Sequence, residues 1–182
     1  MKKVCLTIVI ASVVGWIGAQ IYLLDKNRRL TAKKSAAMSA MRALHQACLD
    51  YYDEYSQFPL GHIANSDAIE LTTGEGPNTL MAILSGPLSD RESGKEKNFF
   101  LHKEAKDRKN GLLRNEEGTY AEFFDPWGNP YHIMLDYDYD GNLIDPHTQK
   151  ILEDTNVLVW SPGPDGKTGT SETHKDDVCS WN

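Results

Sequence analysis

The stretch Asp125-Pro126-Trp127-Gly128-Asn129-Pro130-Tyr131 decides how the second half of the chain folds. Proline presets φ near −65°, glycine allows positive φ, and Asp and Asn side chains bond to their own backbone. The stretch therefore predicts a tight turn that leads into a strand. A second turn-forming stretch, Ser161-Pro162-Gly163-Pro164-Asp165-Gly166, follows it and has the same chemistry.

Strands are predicted around these turns at 120–124, 131–135 and 156–160, because β-branched and aromatic residues are concentrated there. A short helix is predicted at 78–85, capped by Asn78 and ended by Gly86-Pro87. The remaining segments are predicted to be irregular: a loop at 60–76, a charged surface excursion at 89–118, and a long acidic connection at 136–154. An antiparallel sheet laid on a helix, an α+β plan, follows.

The first 24 residues predict a membrane anchor. Residues 4–24 are almost entirely apolar, and a helix of that length at about 1.5 Å per residue spans roughly 30 Å, one hydrocarbon core. The alternative is a cleaved secretory leader ending near Ala19, which Lys2 and Lys3 would suit. The apolar run continues past Ala19 to Leu24, which favours a retained anchor.

Residues 25–58 predict an amphipathic continuation of the same helix. Apolar side chains recur at alternating spacings of three and four, which places them on one face; they are Ala37, Met41, Leu44, Cys48, Tyr51, Tyr55 and Phe58. Pro59 ends the run. The basic residues between Lys26 and Lys34 are interpreted as a solvated helix face beside a membrane.

The loop 161–177 is predicted to hold a divalent cation. It contains glycines but no sizeable apolar side chain, so ordering it costs conformational entropy with little burial to offset it. A cation that ties Asp165 to the acidic pair Asp176 and Asp177 would stabilise the loop, and backbone carbonyls near Pro162 would add ligands.

An acidic stretch at 136–142 is a second metal candidate. Asp136, Asp138 and Asp140, followed by Gly141, match the first half of an EF-hand calcium loop. Position twelve of that pattern is His147 instead of a bidentate Glu, and no helices are predicted beside it. The alternative is a hairpin turn at Asp140-Gly141 with its acids exposed.

Composition narrows the function further. A net charge of −7 leaves no electrostatic reason to bind nucleic acid. The three cysteines are Cys5, Cys48 and Cys179; separate thiols are expected, with a Cys48–Cys179 bridge as the alternative. No G-x-S-x-G, Walker A or H-E-x-x-H pattern is present, so we do not expect an enzyme.

The order of these features resembles one family. An apolar segment running into an amphipathic helix, then D-P-W-G-N-P-Y, then S-x-G-x-D-G, then an acidic pair before Trp181 resembles the major pseudopilin of type II secretion, a relative of type IV pilins. The order spans the whole chain, and its specific residues lie between Asp125 and Trp181.

The resemblance implies a pilin-like α+β fold, in which a long N-terminal helix, transmembrane and then amphipathic, packs on a small antiparallel sheet. Residues 1–24 would be the anchor, 25–58 the helix continuation and 59–182 a periplasmic head. It implies a single-pass protein of the bacterial inner membrane, a structural Ca²⁺ at Asp165 and Asp177, and partners among pilin-like subunits and inner-membrane secretion components.

The N-terminus departs from the family pattern. Pseudopilin precursors have Gly at the cleavage point and Glu five residues later, where this chain has Val4 and Val9. The family Glu is thought to neutralise the terminal amine of a neighbouring subunit in the filament. The alternative functions are therefore a membrane-anchored Ca²⁺-binding module that does not polymerise, or a minor pilin that initiates or caps a filament.

Overall fold

A computed structural model describes residues 2–61, 67–74, 79–86, 88–89, 96–115, 121–169 and 174–181. For residues 2–14, 88–89, 96 and 174 the description covers the backbone alone. The chain divides into two compact units, Met1–Ser35 and Ala36–Asn182.

The chain contains two α-helices, ten short strands and two 3₁₀ turns within its described residues. In chain order they are α1 (Lys2–Tyr55), β1 (Ala68–Leu71), α2 (Leu80–Ser85), β2 (Leu88–Ser89), β3 (Glu96–Lys97), β4 (Gly111–Arg114), β5 (Ala121–Phe124), β6 (His132–Leu135), β7 (Asn142–Ile144), β8 (Ile151–Glu153), β9 (Val157–Ser161), the turns Gly163–Asp165 and His174–Asp176, and β10 (Val178–Cys179).

The first unit is helical throughout its described length, which confirms the prediction of one long N-terminal helix. Its side chains from residue 15 to residue 33 are exposed, and they include seven large apolar ones: Trp16, Ile17, Ile21, Tyr22, Leu23, Leu24 and Leu30. None of the helices in the described part of the chain combines the length with the apolar character that a bilayer crossing requires. The side chains of Val4 and Val9 lie outside the described residues.

The predicted apolar stripe forms the helical side of the core in the second unit. Ala37, Met41, Leu44 and Cys48 are fully buried. The helix ends at Tyr55 and not at Phe58, because Ser56 takes φ of 53° and its N–H closes the last turn on the carbonyl of Tyr52 at 2.7 Å. Phe58 is still buried, although it lies outside the helix.

The main sheet is antiparallel, with strand order β1-β6-β9-β10. Strands β6 and β9 confirm two of the predicted strands, and every residue of β9 is buried. β1 lies in the segment predicted to be a loop, so that prediction was wrong for 68–71. β1 is an edge strand of four residues whose Ile69 and Leu71 side chains are exposed. The sequence did not predict it because the strand is short and lies in a largely polar segment.

Three two-stranded sheets, β2-β3, β4-β5 and β7-β8, complete the strands. β5 confirms a predicted strand, although Tyr120 lies outside the described residues. The prediction that 89–118 is irregular was wrong at two places, where β3 and β4 form. β4 buries Leu112 in the core. The acidic connection contains the β7-β8 hairpin, whose loop is 145–150 and not the predicted Asp140-Gly141 turn.

Helix α2 begins two residues later than predicted, and its N-cap is Thr79, whose hydroxyl accepts a hydrogen bond from the Ala82 N–H at 3.3 Å. The predicted cap, Asn78, lies outside the described residues. All six α2 residues are buried, so the helix is a core element. Gly86 ends the helix, as predicted.

Candidate metal centre

The Asp125 carboxylate organises the turn that the sequence singled out. Asp125 is fully buried, and its Oδ1 accepts hydrogen bonds from the backbone N–H groups of Trp127, Gly128 and Asn129 at 2.8, 2.7 and 2.8 Å. A carboxylate that receives three N–H donors forms strong, charge-assisted bonds. Gly128 takes φ of +104°, which lets the chain turn tightly enough to present these donors.

The same carboxylate joins the two turn-forming stretches into one unit. The Ser161 hydroxyl donates to Asp125 Oδ2 at 2.6 Å and accepts from the Gly163 N–H at 3.1 Å. The Asn129 side-chain amide donates to the Gly163 carbonyl at 2.7 Å. The D-P-W-G-N-P and S-P-G-P-D-G stretches are therefore held together by buried hydrogen bonds, a contact that turn chemistry alone did not predict.

Gly163 lets this unit approach the C-terminal acidic turn. It takes φ of +69°, and a Cβ built there would collide with the backbone carbonyl of Asp176. Only a glycine allows the turn Gly163–Asp165 and the turn His174–Asp176 to come this close. Pro162, predicted to offer a carbonyl ligand, is buried and stands at the N-cap of the first of these turns.

The acidic residues predicted in this loop converge. One carboxylate oxygen from each of Asp165, Asp176 and Asp177 lies within 4.8 Å of the others. The Asp165 N–H also donates to Asp176 Oδ2 at 3.2 Å. Residues 170–173 of the loop lie outside the described residues. The turns therefore bring together the three carboxylates that the sequence predicted to share a cation.

Asp177 is the member whose surroundings fit a bound cation. Its side chain is fully buried, and its Oδ2 accepts from His147 Nε2 at 2.9 Å and from the Thr168 hydroxyl at 3.2 Å. Its Oδ1 is buried without a hydrogen-bond partner among the described residues. Burial raises the pKa of the Asp177 carboxyl, and His147 and Thr168 offset only part of that effect. A buried anionic oxygen without a partner is costly, and a cation would satisfy it.

His147 is the central side chain that sequence reasoning missed. Its ring lies between Asp177 and Cys179, with the Cys179 sulfur 3.6 Å from Nδ1. The ring stacks on Trp181 at 5.7 Å between centroids and meets Trp160 edge-on at 6.0 Å. His147 thus supports the buried end of the acidic group, and it does so from a distant hairpin loop.

A second Asp-Pro turn positions His147. Asp145 Oδ1 accepts from the His147 N–H at 2.8 Å, and Asp145 Oδ2 accepts from the Thr148 hydroxyl at 2.6 Å. Burial of Asp145 opposes its ionisation, but these hydrogen bonds outweigh that effect and lower its pKa. The Asp145-Pro146 pair repeats the Asp125-Pro126 pattern, and that repeat is the signal that could have identified the turn.

The Cys179–His147–Asp177 contacts resemble a nucleophile, base and acid in series, but the thiol is not activated. Burial, with the nearby Asp177 and Asp145 carboxylates, raises the pKa of Cys179 to about 12. The thiol is therefore protonated at neutral pH, and a reactive cysteine needs the opposite shift. Cys179 and Cys48 are both free and buried, so the alternative of a bridge between them was wrong.

The second predicted acidic loop gathers a different set of residues. Carboxylate oxygens of Asp67, Asp136 and Asp138 lie within 4.8 Å of one another. Asp140 is not in that group; it is exposed, and its Oδ1 accepts from the Asn142 N–H at 2.7 Å. Asp67 immediately precedes β1, in a segment that was predicted to be a loop.

Comparison of the chain with protein-family models, with curated proteins and with solved structures finds no match in any of the three.

Proposed function

We propose that this chain is a pseudopilin-like structural subunit of a type II secretion or type IV pilus-like filament. It is held in the bacterial inner membrane by its N-terminal helix, with the second unit in the periplasm. The order of sequence motifs supports the proposal, as does an α+β architecture of one long N-terminal helix and a small antiparallel sheet.

One observation carries the proposal most directly. Six large apolar side chains between Trp16 and Leu24 are exposed on α1, and Tyr22 and Leu24 are 69% and 67% accessible. A cluster of large apolar side chains that faces water marks a surface that pairs with another chain or with lipid. In the proposed subunit this segment packs against the equivalent helices of neighbouring subunits and against lipid tails.

The mechanism is mechanical. The helix supplies attachment and contact with other pilin-like subunits and inner-membrane secretion components, and the second unit supplies a rigid head. Asp165, Asp176 and Asp177 would hold a Ca²⁺ ion, whose charge would neutralise three converging carboxylates. The Asp125–Ser161 hydrogen bond fixes the start of the same loop, so the loop is held at both ends.

Val4 and Val9 favour a second candidate, a minor pilin or a non-polymerising membrane-anchored Ca²⁺-binding module. Without a Glu at position 9, the chain lacks the charge that would pair with a neighbouring terminal amine. The two candidates share the anchor and the cation loop, and they differ in whether copies of the chain contact one another.

Membrane attachment is tested by alkaline carbonate extraction of cells that express the whole 182-residue chain. The protein is expected to stay in the membrane pellet, with N-terminal sequencing showing that the segment through Leu24 is retained. Ile17→Lys is expected to move protein to the soluble fraction, because a lysine in an apolar span costs about 2.5 to 3.5 kcal/mol at its centre. Ser35→Lys, also exposed on α1, is the matched control and should stay in the pellet. Recovery of the unsubstituted protein in the soluble fraction would contradict the anchor.

A further inference from the structure

We propose that Asp67, Asp136 and Asp138 form a second divalent-cation site, suited to a hard, oxygen-preferring ion of the size of Ca²⁺. This site is separate from the C-terminal loop and goes beyond the proposed function. It joins the start of β1 to the loop that follows β6.

The pairing of β1 with β6 brings Asp67 and Asp136 together. β1 runs antiparallel to β6, with Ala68 opposite Leu135. The residue before Ala68 and the residue after Leu135 are Asp67 and Asp136, so the register itself places these two acids side by side. Asp138 folds back onto them, and one oxygen from each lies within 4.8 Å of the others.

A buried, unpaired oxygen points to a ligand. Asp136 is only 2% exposed, and its Oδ2 accepts from the Gly141 N–H at 2.9 Å. Its Oδ1 is buried without a hydrogen-bond partner among the described residues. None of the ion pairs in the described part of the chain involves these three aspartates. A carboxylate in this environment is stabilised when a cation or a proton occupies the site.

The surrounding framework holds the acids in place. The Tyr137 N–H donates to Asp67 Oδ1 at 3.1 Å, and the Tyr137 hydroxyl donates to the Pro59 carbonyl at 2.9 Å. The Tyr139 hydroxyl accepts from the Phe58 N–H at 3.3 Å, and the two rings stack. The loop is therefore anchored on the segment that follows α1, and the acids cannot separate freely to relieve their repulsion.

The chemistry of the donor set favours calcium over zinc and magnesium. All three donors are carboxylates, whereas zinc sites in proteins usually include nitrogen or sulfur. Ca²⁺ accepts six to eight oxygen ligands in a flexible geometry, whereas Mg²⁺ demands a near-ideal octahedron and usually keeps several of its own waters. A group of three carboxylates gathered from two segments of the chain suits the more adaptable ion.

Calorimetric titration of the whole chain with Ca²⁺ tests the site. Asp67→Asn keeps an oxygen to accept the Tyr137 N–H but removes one charge, so it should weaken one calcium site at least tenfold. Asp138→Asn should do the same. Asp140→Asn, in the same loop but outside the group, is the matched control; it removes a nearby charge but no ligand, and it should weaken calcium binding by well under tenfold.

Thermal melting separates a cation site from a merely acidic cluster. In EDTA, Asp67→Asn should melt at a higher temperature than the unsubstituted chain, because it relieves repulsion; in saturating Ca²⁺ that advantage should disappear or reverse. An Asp67→Asn advantage of equal size in EDTA and in Ca²⁺ would overturn the proposal.

The calcium titration distinguishes a failure of this proposal from a failure of the C-terminal site. If Asp165→Asn abolishes all calcium binding while Asp67→Asn changes nothing, the site proposed here is overturned and the C-terminal site stands. If Asp67→Asn abolishes all binding while Asp165→Asn changes nothing, this site stands and the calcium part of the proposed function falls. If Asp67→Asn and Asp165→Asn each remove a different part of the calcium binding, both sites are supported.

Discussion

Replacing Ser161 by alanine should destabilise the head far more than loss of a surface hydroxyl would. The Ser161 side chain is fully buried, and its hydroxyl makes two hydrogen bonds, one to the Asp125 carboxylate at 2.6 Å and one from the Gly163 N–H at 3.1 Å. It is one of two side chains that link the two turn-forming stretches directly; the other is Asn129, which donates to the Gly163 carbonyl. Ser161→Ala therefore tests whether those stretches act as one unit.

The magnitude follows from the two bonds. A hydrogen bond to a charged group contributes about 1.5 to 3 kcal/mol, and a buried N–H left without a partner costs about 1 to 3 kcal/mol. Asp125 keeps its donors from its own turn, which limits the first cost. The expected loss in the free energy of unfolding is therefore about 3 kcal/mol.

Urea denaturation in EDTA measures this loss without a contribution from calcium. With a slope of about 2 kcal/mol per molar urea, the midpoint should fall by roughly 1.5 M. Ser180→Ala is the matched control, since the Ser180 hydroxyl accepts one bond, from the Val159 N–H at 3.0 Å, and should cost about 1 kcal/mol. If the two variants lose the same small amount, the reasoning that couples the stretches is refuted.

Three further perturbations test the cation loops and the acids around β1. Gly163→Ala should cost about 3 kcal/mol or more in urea denaturation, because it combines left-handed strain with a backbone collision. Gly169→Ala, whose Cβ would meet no atom of the described residues within 4 Å, should cost about 1 to 2 kcal/mol, and equal losses would contradict the collision. Thermal melting with and without Ca²⁺ should show that each site adds about 2.7 kcal/mol to the free energy of unfolding when Ca²⁺ is at 100 times the Kd of that site. Asp165→Asn should remove at least about half of the contribution of one site. An unchanged contribution would contradict Asp165 as a calcium ligand. In EDTA, burial and neighbouring carboxylates raise the pKa of Asp67 and Asp136, so the folded state holds extra protons, and their contribution to stability is full below the ordinary carboxyl pKa of 3.8 and is lost as pH rises through the raised values. Asp67→Asn should flatten this fall, measured by urea denaturation as pH is raised above 3.8, and an unchanged slope would contradict the assignment.

Periodicity and local turn chemistry made part of this structure predictable. Alternating three- and four-residue spacing identified the buried face from Ala37 to Cys48, and apolar runs identified β6 and β9. Asp165 and Asp177 could be expected to meet because a loop with glycines and no sizeable apolar side chain is costly to order, and a shared cation would offset that cost.

The features that were missed depend on long-range pairing. β1 and β10 are short edge strands that are stabilised by their partners and not by their own composition. Asp67 reaches Asp136 only through the β1–β6 register, and His147 reaches Asp177 only because a hairpin folds back on the C-terminal segment. A local pattern in the sequence does not encode such contacts.

Site-specific photo-crosslinking in intact membranes tests the assembly claim most directly. A photoreactive residue at Tyr22, exposed on α1, should yield a product containing two copies of this chain. The same label combined with Ile17→Lys should not yield it, because that protein should leave the membrane. No product between copies at Tyr22, in membranes that retain the protein, would contradict a polymerising subunit and leave the solitary module.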